Sequence, residues 1–128
     1  MFRVAYRSTL DAGVGEAEIL SIAEQSARRN EAEALTGAWL LSGRRCLGAL
    51  EGDPRVLRHR IETIWDDPRH FGFDILDMRA RDERVFDWPF LLVRAERLEA
   101  EPDLRTHRGL HWLAGFEGGV DAFFTAAS

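Results

Sequence analysis

Between Thr36 and Gly52 the chain holds two apolar strands back to back, the first running through Leu41 and the second ending at Glu51-Gly52, with a tight reversal at Ser42-Gly43-Arg44. The glycine of that reversal can take the positive φ that a hairpin turn needs. Ahead of the hairpin, from about Gly15, the residues Ile19, Ile22, Ala23, Ser26 and Asn30 follow three- and four-residue steps along one face of a helix. An amphipathic helix leading straight into a hairpin makes a sheet floor with the helix lying on it. Such a floor leaves a groove beside the next helix, and a groove with a few placed polar groups is the default place to look for a ligand.

The other elements extend this nucleus. Residues 2–8 alternate, with Phe2, Val4, Tyr6 and Ser8 on one face and Arg3, Ala5 and Arg7 on the other. That is the period-two mark of a strand, and it directs Tyr6 inward at the helix layer. Asp53-Pro54 is a strong helix start, Asp as N-cap and proline at the first helical position. The helix is expected to run to about Asp66, with Leu57, Ile61, Ile64 and Trp65 as its apolar stripe, before Asp67-Pro68 breaks it. Residues 71–80 and Phe86 to Val93 read as a fourth and a fifth strand. The resulting class is α+β, a ferredoxin-like βαββαββ sheet of the split βαβ type with two helices on one face. Leu110, Trp112, Leu113, Phe116, Val120, Phe123 and Phe124, interrupted by Gly118-Gly119, offer a helical apolar surface for the other face. Residues 1–95 are therefore expected to form the domain proper, and residues 96–128 a C-terminal helical extension packing on the sheet.

Composition narrows the function. With 128 residues, 45% of them hydrophobic, the chain can bury a single core without staples. The net charge is −5, and the 17 basic side chains are all arginine, scattered without a dense cluster. That speaks against a nucleic-acid face, which requires a positive patch. The single cysteine, Cys46, sits in an apolar strand, which excludes an intramolecular disulfide and fits a reducing cytosol. No run approaches the ~20 apolar residues of a membrane span, and the N-terminus has no signal-peptide core. A cytoplasmic protein that engages no membrane is expected.

Candidate site residues each have a plainer explanation beside the functional one. Tyr6 must find a partner for its hydroxyl in the helix layer, and a core tyrosine bonded to a carbonyl accounts for the strand alone. Asn30 with Ser26 offers an amide and a hydroxyl suited to a heterocycle that both donates and accepts, although an asparagine near a helix end is also a common cap. Arg69-His70 follows the second helix, where its dipole favours cations; the same two residues could grip a phosphate or a ring carbonyl at the groove mouth. His107 and His111 are spaced four apart as metal ligands can be, but no cysteine or carboxylate set surrounds them, so no metal is expected. No serine, histidine and acid set marks a hydrolase, and no glycine-rich phosphate loop is present. The chain is not expected to be an enzyme.

Taken in order, Tyr6-Arg7-Ser8, Ser26 to Asn30, Leu35-Thr36-Gly37, Leu50-Glu51-Gly52, Asp67-Pro68-Arg69-His70 and Phe86-Asp87-Trp88 resemble the BLUF family of blue-light sensors using FAD. Each tripeptide alone is weak, but six in order on the inferred elements, over residues 1 to about 92, form a specific signal. The resemblance implies a flavin ring between the two helices above the sheet. It implies that Asn30 hydrogen-bonds the polar edge of that ring, that Ile22, Ser26 and Ile64 line its faces, and that Arg69 and His70 meet the pyrimidine side and the sugar chain. Tyr6 would be the light-driven electron and proton donor, and Trp88 would lie on the reporting strand. The implied partners are the flavin and a separate effector protein, with a homodimer as the other mode of action, since no effector segment is read in this sequence.

Two positions depart from the family pattern. The family places a glutamine two residues before the Leu-Glu-Gly, and Gly48 stands there. It places a methionine two residues beyond the tryptophan, and Phe90 stands there, after Pro89. One hydrogen bond contributes about 0.5–1.5 kcal/mol net, several times less than burying a flavin ring at about 25 cal/mol per Å². The pocket is therefore expected to survive, while the usual photocycle is missing or is carried by a water in the space left by Gly48. Restoring the amide with Gly48→Gln is expected to recover a light response. The alternatives are a flavin-free ferredoxin-like interaction domain derived from such sensors, and an acylphosphatase-like enzyme. The enzyme would need a phosphate loop that residues 8–14 do not provide.

Overall fold

The structure, a computed structural model, describes residues 1–125. Five strands, β1 (Phe2–Leu10), β2 (Thr36–Ser42), β3 (Arg45–Gly52), β4 (His70–Ala80) and β5 (Leu91–Val93), form one sheet in the order β4-β1-β3-β2-β5. All neighbours are antiparallel except β5, which runs parallel to β2. Helices α1 (Glu16–Ala32) and α2 (Pro54–Trp65) are the crossovers β1-α1-β2 and β3-α2-β4, each skipping one strand, which is the ferredoxin-like split βαβ arrangement. Gly43 turns the hairpin at φ 60°, and Asp53 caps α2 by accepting from Arg55 N at 2.8 Å, a contact of the kind that contributes about 1 kcal/mol.

The fifth strand is shorter than its sequence suggests. Phe86 to Phe90 are not strand; only Leu91–Val93 pair with β2. Two causes are visible. Pro89 has no N–H for a ladder, and the N–H groups of Val85 and Phe86 are drawn to the Glu51 carboxylate instead, at 3.1 and 2.9 Å. Glu51 is fully buried and also accepts from Arg3 Nε at 3.0 Å and Thr36 Oγ1 at 2.8 Å. This carboxylate stitches β1, β2 and the 84–90 segment to β3.

Alternation along the strands splits the interior into two layers. Val4, Tyr6 and Leu50 face α2 with Leu57 and Ile61. Ala5, Ala38, Leu40, Leu47 and Ala49 face the opposite way, onto α3 (Ala95–Ala100), a 3-10 turn (Pro102–Thr106), α4 (Arg108–Ala114) and α5 (Val120–Thr125). Leu98, Leu110, Leu113, Ala114 and Phe123 close that second layer, while Trp112 and Phe124 are half-buried and Phe116 is exposed. The helices break at Gly118 and Gly119, both at positive φ. Residues 126–128 of the expected extension lie outside the described residues.

Candidate functional site

Helix α1 is only partly sealed against the sheet. Of its expected stripe Ile19 and Asn30 are buried, while Ile22, Ala23 and Ser26 are half-buried; Ile22 and Ser26 border a groove between α1 and α2, and Ala23 packs beside Ile19. The groove encloses a cavity of about 110 Å³ and opens to solvent. Tyr6, Ser8, Trp39, Cys46 and Leu50 floor it; Ile22, Ser26 and Asn30 line it from α1, and Arg60 and Ile64 from α2. Arg69, His70 and Phe90 complete the lining from the segment after α2 and the approach to β5. The sequence-predicted residues Tyr6, Ile22, Ser26, Asn30, Ile64, Arg69 and His70 thus come together around one space.

Their polar groups are unequally engaged. The Tyr6 side chain is 7% exposed and stacks on Phe73 at 5.3 Å, yet its hydroxyl makes no hydrogen bond to any described residue. The carbonyl partner expected of a core tyrosine is absent among the described residues, and the side chain borders the groove. Burial pushes this hydroxyl well above the usual phenol range; Cys46 pushes the same way, and the Arg60 charge opposes them. Asn30 is completely buried and does not cap α1 with its side chain. Its Nδ2 donates to Pro89 O at 2.8 Å, and its Oδ1 accepts from the Arg60 guanidinium at 2.5 Å. His70 Nε2 meets the Ile64 carbonyl of the last turn of α2. Arg69 is held by Asp67, Nε to Oδ1 at 2.9 Å. That hydrogen bond lowers the Asp67 pKa and raises that of Arg69. Burial raises the Cys46 thiol, against hydrogen bonds from Trp39, Ser8 and the Leu10 backbone.

The sequence profile described as BLUF, sensors of blue-light using FAD, matches residues 1–90. The chain belongs to the BLUF family. Among solved structures it is similar to BlrB, a BLUF protein in its dark state, with a TM-score of 0.72 and 30% identity over 80% of each chain. BlsA in its ground state aligns at a TM-score of 0.70 and 21% identity, covering 77% of this chain and 68% of that one. A bacterial light-regulated adenylyl cyclase aligns at 0.70 and 23%, over 81% of this chain but only 32% of the cyclase. Among curated proteins none matches the chain significantly.

This BLUF domain handles its two departures differently. Gly48 lies directly across from Tyr6 in the β1–β3 pairing and from Trp39 in the β2–β3 pairing. A Cβ built on Gly48 would fall 2.2 Å from Tyr6 Cζ and 2.4 Å from its hydroxyl oxygen. The space expected for a water is therefore filled by the tyrosine ring, and a glutamine could enter only by displacing it. Phe90 borders the groove, tilted against Trp39 at 6.4 Å. Trp88 does not reach the groove. It packs with the C-terminal layer, 4.4 Å from the His107 ring, whose Nε2 bonds Asp87 at 2.6 Å while its Nδ1 accepts from Gly109 N. Among the described residues no cluster of three His, Cys, Asp or Glu side chains could hold a metal, and no helix is long and apolar enough to cross a membrane.

The sequence reading missed Arg60, Ser8 and Cys46 as lining residues. Arg60 carried a signal: it stands three residues after Leu57 and four before Ile64, on the apolar stripe of α2, where a charge has no ordinary reason to be.

Proposed function

We propose that this BLUF domain binds a flavin, FAD, in the groove between α1 and α2, and that its response to blue light departs from the family's because Tyr6 occupies the place of the glutamine. The observation that carries this reading is that Tyr6, Ile22, Ser26, Asn30, Ile64, Arg69 and His70 line one groove between α1 and α2. The residues present fit the group: Ile22 and Ile64 supply apolar faces, the tyrosine ring a floor, and Asn30, Arg69 and His70 polar edges. A bound flavin supplies the visible absorption and an electron-accepting ring. The chain's own part is to exclude water from the ring, to offer the Tyr6 O–H as the nearest proton and electron source, and to hold the Asn30 amide in one orientation.

With no glutamine amide between the phenol and the ring, the hydrogen-bond rearrangement that stores the signal in the family has no carrier. Residues 1–95 then form the ligand-binding unit and residues 96–125 a cap on the sheet's far face. Trp88, Asp87 and His107 join the two, and a separate effector or a second copy would read that cap in the cytoplasm. One observation favours the flavin-free interaction domain as a second reading: both ends of the Asn30 amide already have protein partners. The test is reconstitution with FAD followed by absorbance before and after blue light. Saturable FAD binding without the family's red shift is expected. A normal reversible red shift would refute the altered response, and a colourless protein refractory to FAD would favour the second reading.

A further inference from the structure

Arg60 is a cation buried in the groove wall that none of the family-like tripeptides includes. Its side chain is 8% exposed; Nη1 donates to Asn30 Oδ1 and Nη2 to Glu33 Oε1, both at 2.5 Å. A guanidinium only donates, so the Asn30 oxygen must face it. The Pro89 carbonyl only accepts, so the Asn30 nitrogen must face the other way. The two partners remove the two-fold ambiguity of the amide. What remains for a ligand at this end is the second Asn30 N–H, the unused guanidinium N–H groups and the Tyr6 hydroxyl, a set dominated by donors. The charge is also not evenly balanced. Glu33 is 37% exposed, so water screens it more than it screens Arg60, and the other charged lining groups are Arg29 and Arg69 against Asp67, which leaves more cations than anions around the groove. The Arg60 charge is felt at the Tyr6 hydroxyl, where it works against the effect of burial.

We propose that Arg60 is a ligand-binding residue of this groove: a buried cation that, with the Asn30 amide it orients, selects a ring edge built of carbonyl acceptors and favours the ring's more electron-rich, reduced form. This rests on the flavin reading, and it assigns polarity and redox preference to the same site.

The test uses the full chain as wild type, Arg60→Met, Arg60→Lys and Glu33→Gln. Fluorescence titration gives FAD affinity, and dye equilibration gives the midpoint potential of the bound FAD. Loss of a charged hydrogen bond predicts an affinity about ten-fold or more weaker in Arg60→Met. Its potential should fall because a buried positive charge is gone, and Arg60→Lys should recover it. Glu33→Gln should raise the potential, because the cation then loses its counter-charge. A residue that only supports the fold would not shift the two variants in opposite directions. If Arg60→Met does not fold, Glu33→Gln still decides, since it leaves the cation in place. Unchanged affinity and potential in Arg60→Met, or no rise in Glu33→Gln, overturns the assignment and leaves the flavin reading standing; a wild type that takes up no FAD overturns both.

Discussion

The two faces of the sheet solve opposite problems with similar residues. On the face covered by the C-terminal helices, Ala5, Ala38, Leu40, Leu47 and Ala49 meet Leu98, Leu110 and Leu113, all at most 2% exposed. On the face under α1 and α2, Ile22, Ser26 and Ile64 stay half-buried and the Tyr6 hydroxyl goes unpartnered among the described residues. The closed face supplies stability; the open one gives some up and gains a place for a ligand. The 84–90 segment belongs to both, tied to the floor through Glu51 and to the groove through the Asn30–Pro89 contact.

Breaking the closed face should produce the largest stability effect and the smallest effect on binding. Leu113→Ala is expected to cost about 2–5 kcal/mol in urea unfolding, with the FAD affinity of the folded fraction unchanged. Loss of both together would mean that the faces are not separable. At the floor, Gly48→Ala forces a methyl into the Tyr6 ring, and overpacking of this kind costs about 1–3 kcal/mol. By the same geometry Gly48→Gln restores a light response only if Tyr6 moves away first, so its effect on blue-light absorbance measures that displacement. On the open face, Ile64→Ala should cost about 1 kcal/mol or less, since the side chain is already half out of the core, while weakening FAD several-fold in the same titration.

The smallest effect concerns pH. The hydrogen bond from Arg69 depresses the folded-state pKa of Asp67, so the pair contributes stability that is present above the ordinary aspartate range and lost as pH falls through the lowered value. Both groups are partly exposed, which limits the effect to a few tenths of a kcal/mol at most. Acid unfolding of Asp67→Asn should lack this component, and an identical acid profile would discard it.

Local patterns made most of the scaffold legible. Alternation in residues 2–8 gave β1 and the inward Tyr6, and Asp53-Pro54 marked the start of α2. Spacing placed Ile22, Ser26 and Asn30 on one helix face, whereas Ile64, Arg69 and His70 entered the groove set only through the family resemblance. Features decided by tertiary partners were not legible. The fifth strand shrank because a distant carboxylate, Glu51, takes the Val85 and Phe86 N–H groups. The space over Gly48 closed because cross-strand register, which no local window contains, puts Tyr6 opposite it. The engagement of Asn30 by Arg60 likewise joins residues 30 apart in sequence.

The central claim is that the space between α1 and α2 is the flavin site. It is tested most directly by titrating FAD into the wild type and into Ser26→Trp, a substitution that plugs the groove from α1 without touching the sheet. Saturable one-to-one binding lost in Ser26→Trp, with thermal stability retained, is the predicted result. Equal binding by the two proteins, or none by the wild type, would contradict it.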